Sequence, residues 1–404
     1  MVVVLVDQLR KDSFDAWSPL LNDLARRGVA FEQMRAAAPW TYPSVISMMS
    51  GLYPHQHGAD GHSGRPLLYR FDADVPLIHR TLRSAGYRTA AFVSNPFLRE
   101  WNSFHEGFDD FNGDFVRNLG AVRMNAANFA TPEMFSPSVN REVRKHFDAH
   151  DVDRPEFTYI HYIDVHGPWT GAPFEPTYEA SIRFVDRKIW ELYVYFTERY
   201  PGKLLFFVTS DHGMSLGDDV RVGHGPRWRI EKLSVHDFNL RIPFVVLPSS
   251  LVPERGAVDV PCSNVDFVPT VLELVGVEAP MPLPGRSLAY VFSGGAPPED
   301  ERRAIYSRTS AFGGASDAVV YEGRKYLRHF DENMAKAREH RIFDLANDPR
   351  ETRSVGSDFA PVEALLGEVA ELPAFPAETE PGPLEPDLER QLRALGYLDG
   401  GDER

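Results

Sequence analysis

The sequence predicts an α/β fold, a doubly wound sheet sandwiched by helices and followed by a small C-terminal antiparallel sheet plus helix. Three observations carry this. Short apolar runs alternate with helical patterns along the first two thirds of the chain. Those runs lack the polar alternation of a sheet with one wet face, so they suit parallel strands buried on both sides. Past residue 300 the pattern changes to short strands around tight turns. At 404 residues the chain exceeds the usual size of a single core, which favours a large domain at 1–300 and a smaller one at 301–404.

In chain order, "VVVLV" (2–6) reads as the first strand, ahead of a helix near "SPLLNDLARRG". The apolar stretch "PSVISMMSG" reads as a helix with Pro43 in its first turn. "RTAAFVSN" (88–95) is a strand after the helix "LIHRTLRSAG", and "FTYIHYID" (157–164) is a strand before the helix "EASIRFVDRKIWELYVYFTER". "KLLFFVTSD" (203–211) and "IPFVVLP" (242–248) complete the expected parallel sheet. "RAIYSRT", "DAVVYEGRKYLRHF" and "HRIFDLANDPRE" read as the antiparallel strands, and the Pro-rich stretch 373–386 links them to a last helix, "LEPDLERQLRALGY".

Composition narrows the function classes. A net charge of -15, from 58 acidic against 43 basic residues, argues against nucleic acid and anionic membranes as partners. An anionic substrate would need a local positive centre such as a metal. The single cysteine, Cys262, leaves no internal disulfide and no cysteine cluster for zinc or iron–sulfur. The opening apolar run is too short to span a bilayer and has no basic region before it, so no membrane segment and a cytoplasmic location are expected.

In open α/β sheets ligands collect beyond the carboxyl ends of the strands. Three such ends stand out: Asp7-Gln8, Asp164-Val165-His166 and Asp211-His212-Gly213. Asp7, Asp211 and His212 together offer hard oxygens and an imidazole to a divalent metal. Each also has a plain reading, as a turn former or helix cap for the aspartates and a backbone-bonded loop residue for the histidine. Thr41 is either the cap of the helix that follows or a hydroxyl aimed at the metal, which would then stabilise its alkoxide. His166 and His224 lie in Gly/Pro loops, as anion ligands or proton donors to a leaving group, or as ordinary surface histidines. Arg227 could clamp a phosphate or carboxylate. His55, His57 and His62 could form a metal cluster, although the surrounding Gly and Pro favour a turn.

These residues sit in blocks that resemble the sulfatase family of the alkaline phosphatase superfamily. "VVVLVDQLRKD", "WTYPSVISMMSGLYPHQHG", "HYIDVHGPW", "VTSDHGMSLGD" and "RIFDLANDPRET" occur in family order over nearly the whole chain. The resemblance implies an alkaline-phosphatase-like core and one divalent ion (Ca, Mn, Mg or Zn) held by Asp7, Gln8, Thr41, Asp211 and His212. It also implies a nucleophile at Thr41 and, at His166 and His224, groups that contact the transferred group and the leaving oxygen. The substrate would be a small-molecule, glycan or lipid-headgroup anionic ester.

The departures from that pattern are chemical. Sulfatases place Cys or Ser in a C/S-x-P-x-R motif and oxidise it to formylglycine. Here the string is Thr41-Tyr42-Pro43-Ser44-Val45, so no formylglycine can form and the motif arginine is missing. "AFVSN" replaces the expected Lys-Trp-His block, leaving Asn95, with Arg227, as the substrate-binding candidates. Thr at this position resembles the phosphoryl-transferring relatives. The expected activity is therefore hydrolysis or transfer of phosphate (di)esters or phosphonate esters through a covalent Thr41 ester. A sulfatase using unmodified Thr41 and a catalytically silent anion- or glycan-binding member are the alternatives.

Overall fold

The computed structural model describes residues 1–60, 70–98, 102–115, 132–151, 153–167, 169, 172–217, 234–295, 303–310, 315–331 and 336–376. The chain begins β1 (Val2–Val6), α1 (Lys11–Trp17), α2 (Pro19–Arg27), β2 (Val29–Arg35), α3 (Thr41–Ser50) and α4 (Pro54–His57). It continues through α5 (Ile78–Ser84), β3 (Arg88–Val93), β4 (Asp110–Asn112), α6 (Ser136–Asp148), β5 (Glu156–Tyr162), α7 (Tyr178–Arg199) and β6 (Phe206–Thr209). Then come α8 (Asp237–Leu240), β7 (Phe244–Val246), β8 (Gly256–Ser263), α9 (Phe267–Val275) and α10 (Ala289–Phe292). The C-terminal part comprises β9 (Ile305–Thr309), β10 (Ser316–Tyr321), β11 (Arg324–Phe330), β12 (Ala337–Asp344) and α11 (Glu363–Ala370).

An eight-stranded sheet in the order β4-β3-β5-β1-β6-β7-β2-β8 forms the centre. β1 shows why its sequence is unbroken Val and Leu. Val3 and Leu5 enter the core on one face of the sheet, and Val2, Val4 and Val6 enter the core on the other. Each such fully buried side chain contributes roughly 1.5–3 kcal/mol, so both faces stabilise the strand.

The expectation of parallel strands fails at one of the five runs read as its members. "IPFVVLP" became β7, which lies antiparallel to both β6 and β2. The amide of Gly213, just past β6, donates to the carbonyl of Asn239, just before β7, at 2.7 Å. The chain therefore returns from the same sheet edge at which it left, with no crossover to reverse its direction. An added Cβ at Gly213 would stand 2.1 Å from the Phe238 carbonyl oxygen, so only glycine permits this approach.

β9 to β12 form an antiparallel four-stranded sheet, as the sequence predicts, whose Tyr306, Val319, Tyr326 and Ile342 pack in one small core with Ala37, Tyr53 and Val265 of the larger part and with Phe359 and Leu366. A buried ionic group joins this sheet to the large one. Arg35 Nη2 lies 2.7 Å from Asp237 Oδ2, and Lys325 Nζ lies 2.8 Å from Asp237 Oδ1 and 2.9 Å from Glu351 Oε1. Lys325 is fully buried on β11. The expected last helix lies outside the described residues, and among the described residues no helix is long and apolar enough to cross a membrane.

Candidate active site

The central strands β5, β1 and β6 are neighbours, and their carboxyl ends place Asp7, Asp164 and Asp211 along one edge. The ends of β1 and β6 are stitched together: the Gln8 amide donates to Asp211 Oδ1 at 3.2 Å and the Leu9 amide to Ser210 Oγ at 3.0 Å. Gln8 adopts φ 62, a left-handed conformation that costs a non-glycine residue about 1–2 kcal/mol. Tyr178 on α7 holds it there. Its hydroxyl donates to the Gln8 carbonyl at 2.7 Å and accepts from the Arg10 amide at 3.1 Å.

Thr41 is the first residue of α3 rather than its cap. The capping position is Trp40, in extended backbone and without a side-chain capping bond. The Thr41 hydroxyl instead stands 3.5 Å from Asp7 Oδ2 and 3.3 Å from His212 Nε2, fully buried. Ser44 fixes the first turn of the helix over β6, because its hydroxyl donates to the Asp211 carbonyl at 2.6 Å. Asn264 donates to Ser44 Oγ at 2.9 Å and accepts from the Ala37 amide at 2.9 Å, locking the approach to α3.

His212 Nδ1 lies 2.7 Å from the Gly213 carbonyl, which can only accept. That bond places the ring proton on Nδ1 and turns the Nε2 lone pair inward, 3.6 Å from Asp211 Oδ2 and 3.9 Å from Asp7 Oδ1. Asp7 Oδ1 and Asp211 Oδ2 are buried without a hydrogen-bond partner. Two orphaned carboxylate oxygens facing an imidazole lone pair form a donor set that fits a divalent cation.

Sequence reasoning missed His161. It lies in β5 between Ile160 and Tyr162, fully buried, with Nε2 3.4 Å from Asp7 Oδ2 and Nδ1 2.9 Å from the Tyr159 hydroxyl. One donor atom each from Asp7, His161 and Asp211 lie within 4.8 Å of one another. The available signal was a histidine inside an otherwise apolar, doubly buried strand. Burial alone would raise Asp7, but the His161 hydrogen bond and the imidazoles of His166 and His161 outweigh it and hold the carboxyl down at about 2. Burial and the neighbouring Asp7 charge push Asp211 up instead. Two close acids pulled in opposite directions behave as a pair that one cation would satisfy.

The remaining sequence candidates divide. Asn95 is brought in, but its amide donates to Asp7 Oδ2 at 2.6 Å and its carbonyl accepts from the Phe97 amide at 2.8 Å, so it braces the aspartate. Asp164 is engaged elsewhere: its carboxylate takes the Ser136 amide at 3.0 Å and the Ser136 hydroxyl at 2.7 Å, capping α6. Burial pushes Asp164 up to about 7 although the Ser136 bonds oppose it. His166 is buried next to the cluster, with Nδ1 2.6 Å from the Gly167 carbonyl. His55 and His57 do not form a cluster, since His55 bonds the Val369 carbonyl at 2.9 Å and His57 bonds Ser47 Oγ at 2.9 Å. His62, His224 and Arg227 lie outside the described residues.

The family model described as Sulfatase matches residues 1–277, and the model described as N-sulphoglucosamine sulphohydrolase, C-terminal, matches residues 227–368. The chain is 20% identical to a Delta 4,5-hexuronate-2-O-sulfatase of Bacteroides thetaiotaomicron, over 84% of this chain and 79% of that one. It is 26% identical to an N-acetylglucosamine-6-O-sulfatase of the same organism, over 55% of this chain and 41% of that one. Among solved structures, the phosphonate monoester hydrolase of Agrobacterium radiobacter superposes with a TM-score of 0.67 at 18% identity, over 92% of this chain and 94% of that one. That likeness establishes a shared fold.

Proposed function

Because the chain belongs to the sulfatase family, we propose that it is a metal-dependent hydrolase of phosphate diesters or phosphonate esters whose nucleophile is the unmodified Thr41 hydroxyl. The observation that carries the reading is the placement of Thr41 Oγ1 between Asp7 Oδ2 and His212 Nε2, beside two carboxylate oxygens without partners. Asp7, Asp211 and His212 are the residues that would hold a divalent cation. When bound, such an ion supplies Lewis acidity that favours the deprotonated hydroxyl and neutralises charge on the ester.

The protein's own groups account for the rest. Asn95 and His161 orient Asp7, Ser44 fixes the first turn of α3, and the Gly213 carbonyl fixes the His212 tautomer, so the hydroxyl enters the reaction already positioned. The Thr41 hydroxyl gives up its proton to solvent as its oxygen bonds to phosphorus and the bond to the leaving alcohol breaks, and the departing oxygen takes a proton from His224, the donor role we assign to that residue. His166 offsets negative charge on the transferred group. Water then attacks the Thr41 ester, the phosphorus–oxygen bond to Thr41 breaks, and the hydroxyl is restored. A formylglycine hydrate could expel sulfate by collapsing to its aldehyde. Threonine cannot, which favours an ester cleared readily by water.

Sulfate ester hydrolysis through unmodified Thr41 is the second reading, supported by the names of both family models and of the glycan-sulfatase relatives. Turnover of an aryl phosphonate monoester compared with the matching aryl sulfate separates the two. Acid-quenched reactions examined by intact-protein mass should show one phosphonyl adduct, mapped to Thr41 and missing from Thr41→Ala. Wild-type turnover by Thr41→Ala would refute the nucleophile assignment.

A further inference from the structure

At the outer edge of the large sheet, remote from Thr41, lies a second group of metal-type donors. Asp110 opens β4, the edge strand, while His146 lies in the last turn of α6 and His150 follows four residues later. One donor atom from each lies within 4.8 Å of the others. The register explains the meeting. β4 pairs in parallel with β3 so that Asp110 faces Ala90 and Asn112 faces Phe92. Ala90 and Phe92 point into the core beneath α6, and Asp110 shares their side of the pleat. His146 packs edge-on against Phe92 with ring centroids 5.6 Å apart.

One of the two imidazoles is preset as an acceptor. His150 Nδ1 stands 2.7 Å from the His146 carbonyl, which can only accept, so its Nε2 carries the lone pair. The His150 carbonyl is itself held by Arg199 Nη2. His146 Nε2 is buried with no hydrogen-bond partner, a state that costs roughly 1–3 kcal/mol unless something occupies it. Of the cations near the three donors, Arg88 is engaged by Glu156 at 2.9 Å and Asp153 at 3.1 Å, and Arg199 by the His150 carbonyl.

We propose that Asp110, His146 and His150 form a structural site for a borderline divalent cation of the zinc class, tying the edge strand β4 to the C-terminal end of α6. Two imidazoles and one carboxylate suit zinc, with water in the fourth position. Ligand atoms on a tetrahedral zinc stand about 3.3 Å apart, so donors within 4.8 Å close to that spacing with an adjustment of up to about 1.5 Å, and Asp110 is the exposed member of the three. At 1.5 Å of rise per residue, the ten residues from Ser136 to His146 put the site about 15 Å along α6 from the Asp164 cap at the catalytic edge. The ion would act on β4 and α6, not on the ester.

The test titrates zinc chloride into the metal-stripped full chain against a chromophoric chelator, for wild type, His150→Ala, Asp110→Asn and Asp7→Asn. The expected result is one equivalent fewer in His150→Ala than in wild type. Weaker binding of that same equivalent is expected in Asp110→Asn, whose exposed position leaves folding unaffected. The zinc-dependent rise in Tm should shrink in both, while Asp7→Asn keeps the equivalent. Unchanged stoichiometry and unchanged Tm response in His150→Ala and Asp110→Asn would overturn the proposal, as would loss of all zinc in Asp7→Asn. These readouts do not depend on turnover, so they can fail while the Thr41 reading stands.

Discussion

Replacing Lys325 by Met tests the ionic joint between the two sheets. Its ammonium is fully buried between Asp237 at 2.8 Å and Glu351 at 2.9 Å. Asp237 would keep Arg35 at 2.7 Å, but Glu351 would lose its ion pair with Lys325 while its Oε2 still accepts from the Asp237 amide at 2.5 Å. Removing one member of a buried ionic group typically costs about 3–5 kcal/mol, because a charge is left without compensation. The pH dependence sharpens the test. Burial, opposed by Lys325 and reinforced by Asp237, pushes Glu351 up to about 7 from an unfolded value of 4.5. Its ionisation therefore opposes folding as pH rises from 4.5 to 7, even in the wild type. Without Lys325 the carboxyl rises further, so the difference between variant and wild type is flat below about pH 7. Above that it grows by roughly 1.4 kcal/mol per pH unit until the variant's carboxyl also ionises. Urea unfolding at pH 6, 7 and 8 reads this directly. A loss below 1 kcal/mol at pH 8, or one that does not change with pH, would show that the ionic group does not hold the sheets together.

Three other outcomes follow from the site. Asn95→Ala removes the donor that braces Asp7 at 2.6 Å, and a fall of roughly 10–100-fold in kcat or metal affinity is expected in steady-state kinetics and metal titration. Tyr178→Phe deletes the hydroxyl that holds left-handed Gln8 by two backbone bonds, which should cost about 1–3 kcal/mol in chemical denaturation. Chelation should abolish ester turnover, and a divalent salt should restore it. Full activity after exhaustive dialysis against chelator, with metal analysis showing none bound, would contradict the role given to Asp7, Asp211 and His212.

Much of the site was legible because its carboxylates sit directly beyond apolar runs, where a buried strand meets the sheet edge. Asp7, Asp211, His212 and Thr41 could be named from that rule and from the resemblance, and they do meet in space. His161 could not. It reaches Asp7 because β5 pairs with β1 so that His161 faces Leu5, and strand neighbours cannot be read from a run of hydrophobic residues. The sequence suggests Asn95 as a substrate ligand, and its amide bond to Asp7 is a further role that depends on the rotamer and is not written in the residue type. The direction of β7 was missed because a buried antiparallel strand has the same composition as a parallel one.

The donors of the proposed site stand at the ends of adjacent strands and in the first turn of a packed helix, so their arrangement is completed when the sheet itself assembles. Chemistry built this way is inherited with the architecture and cannot be adjusted separately from it. Diversification is then left to the periphery. The frame itself recurs in a solved structure only 18% identical, at a TM-score of 0.67.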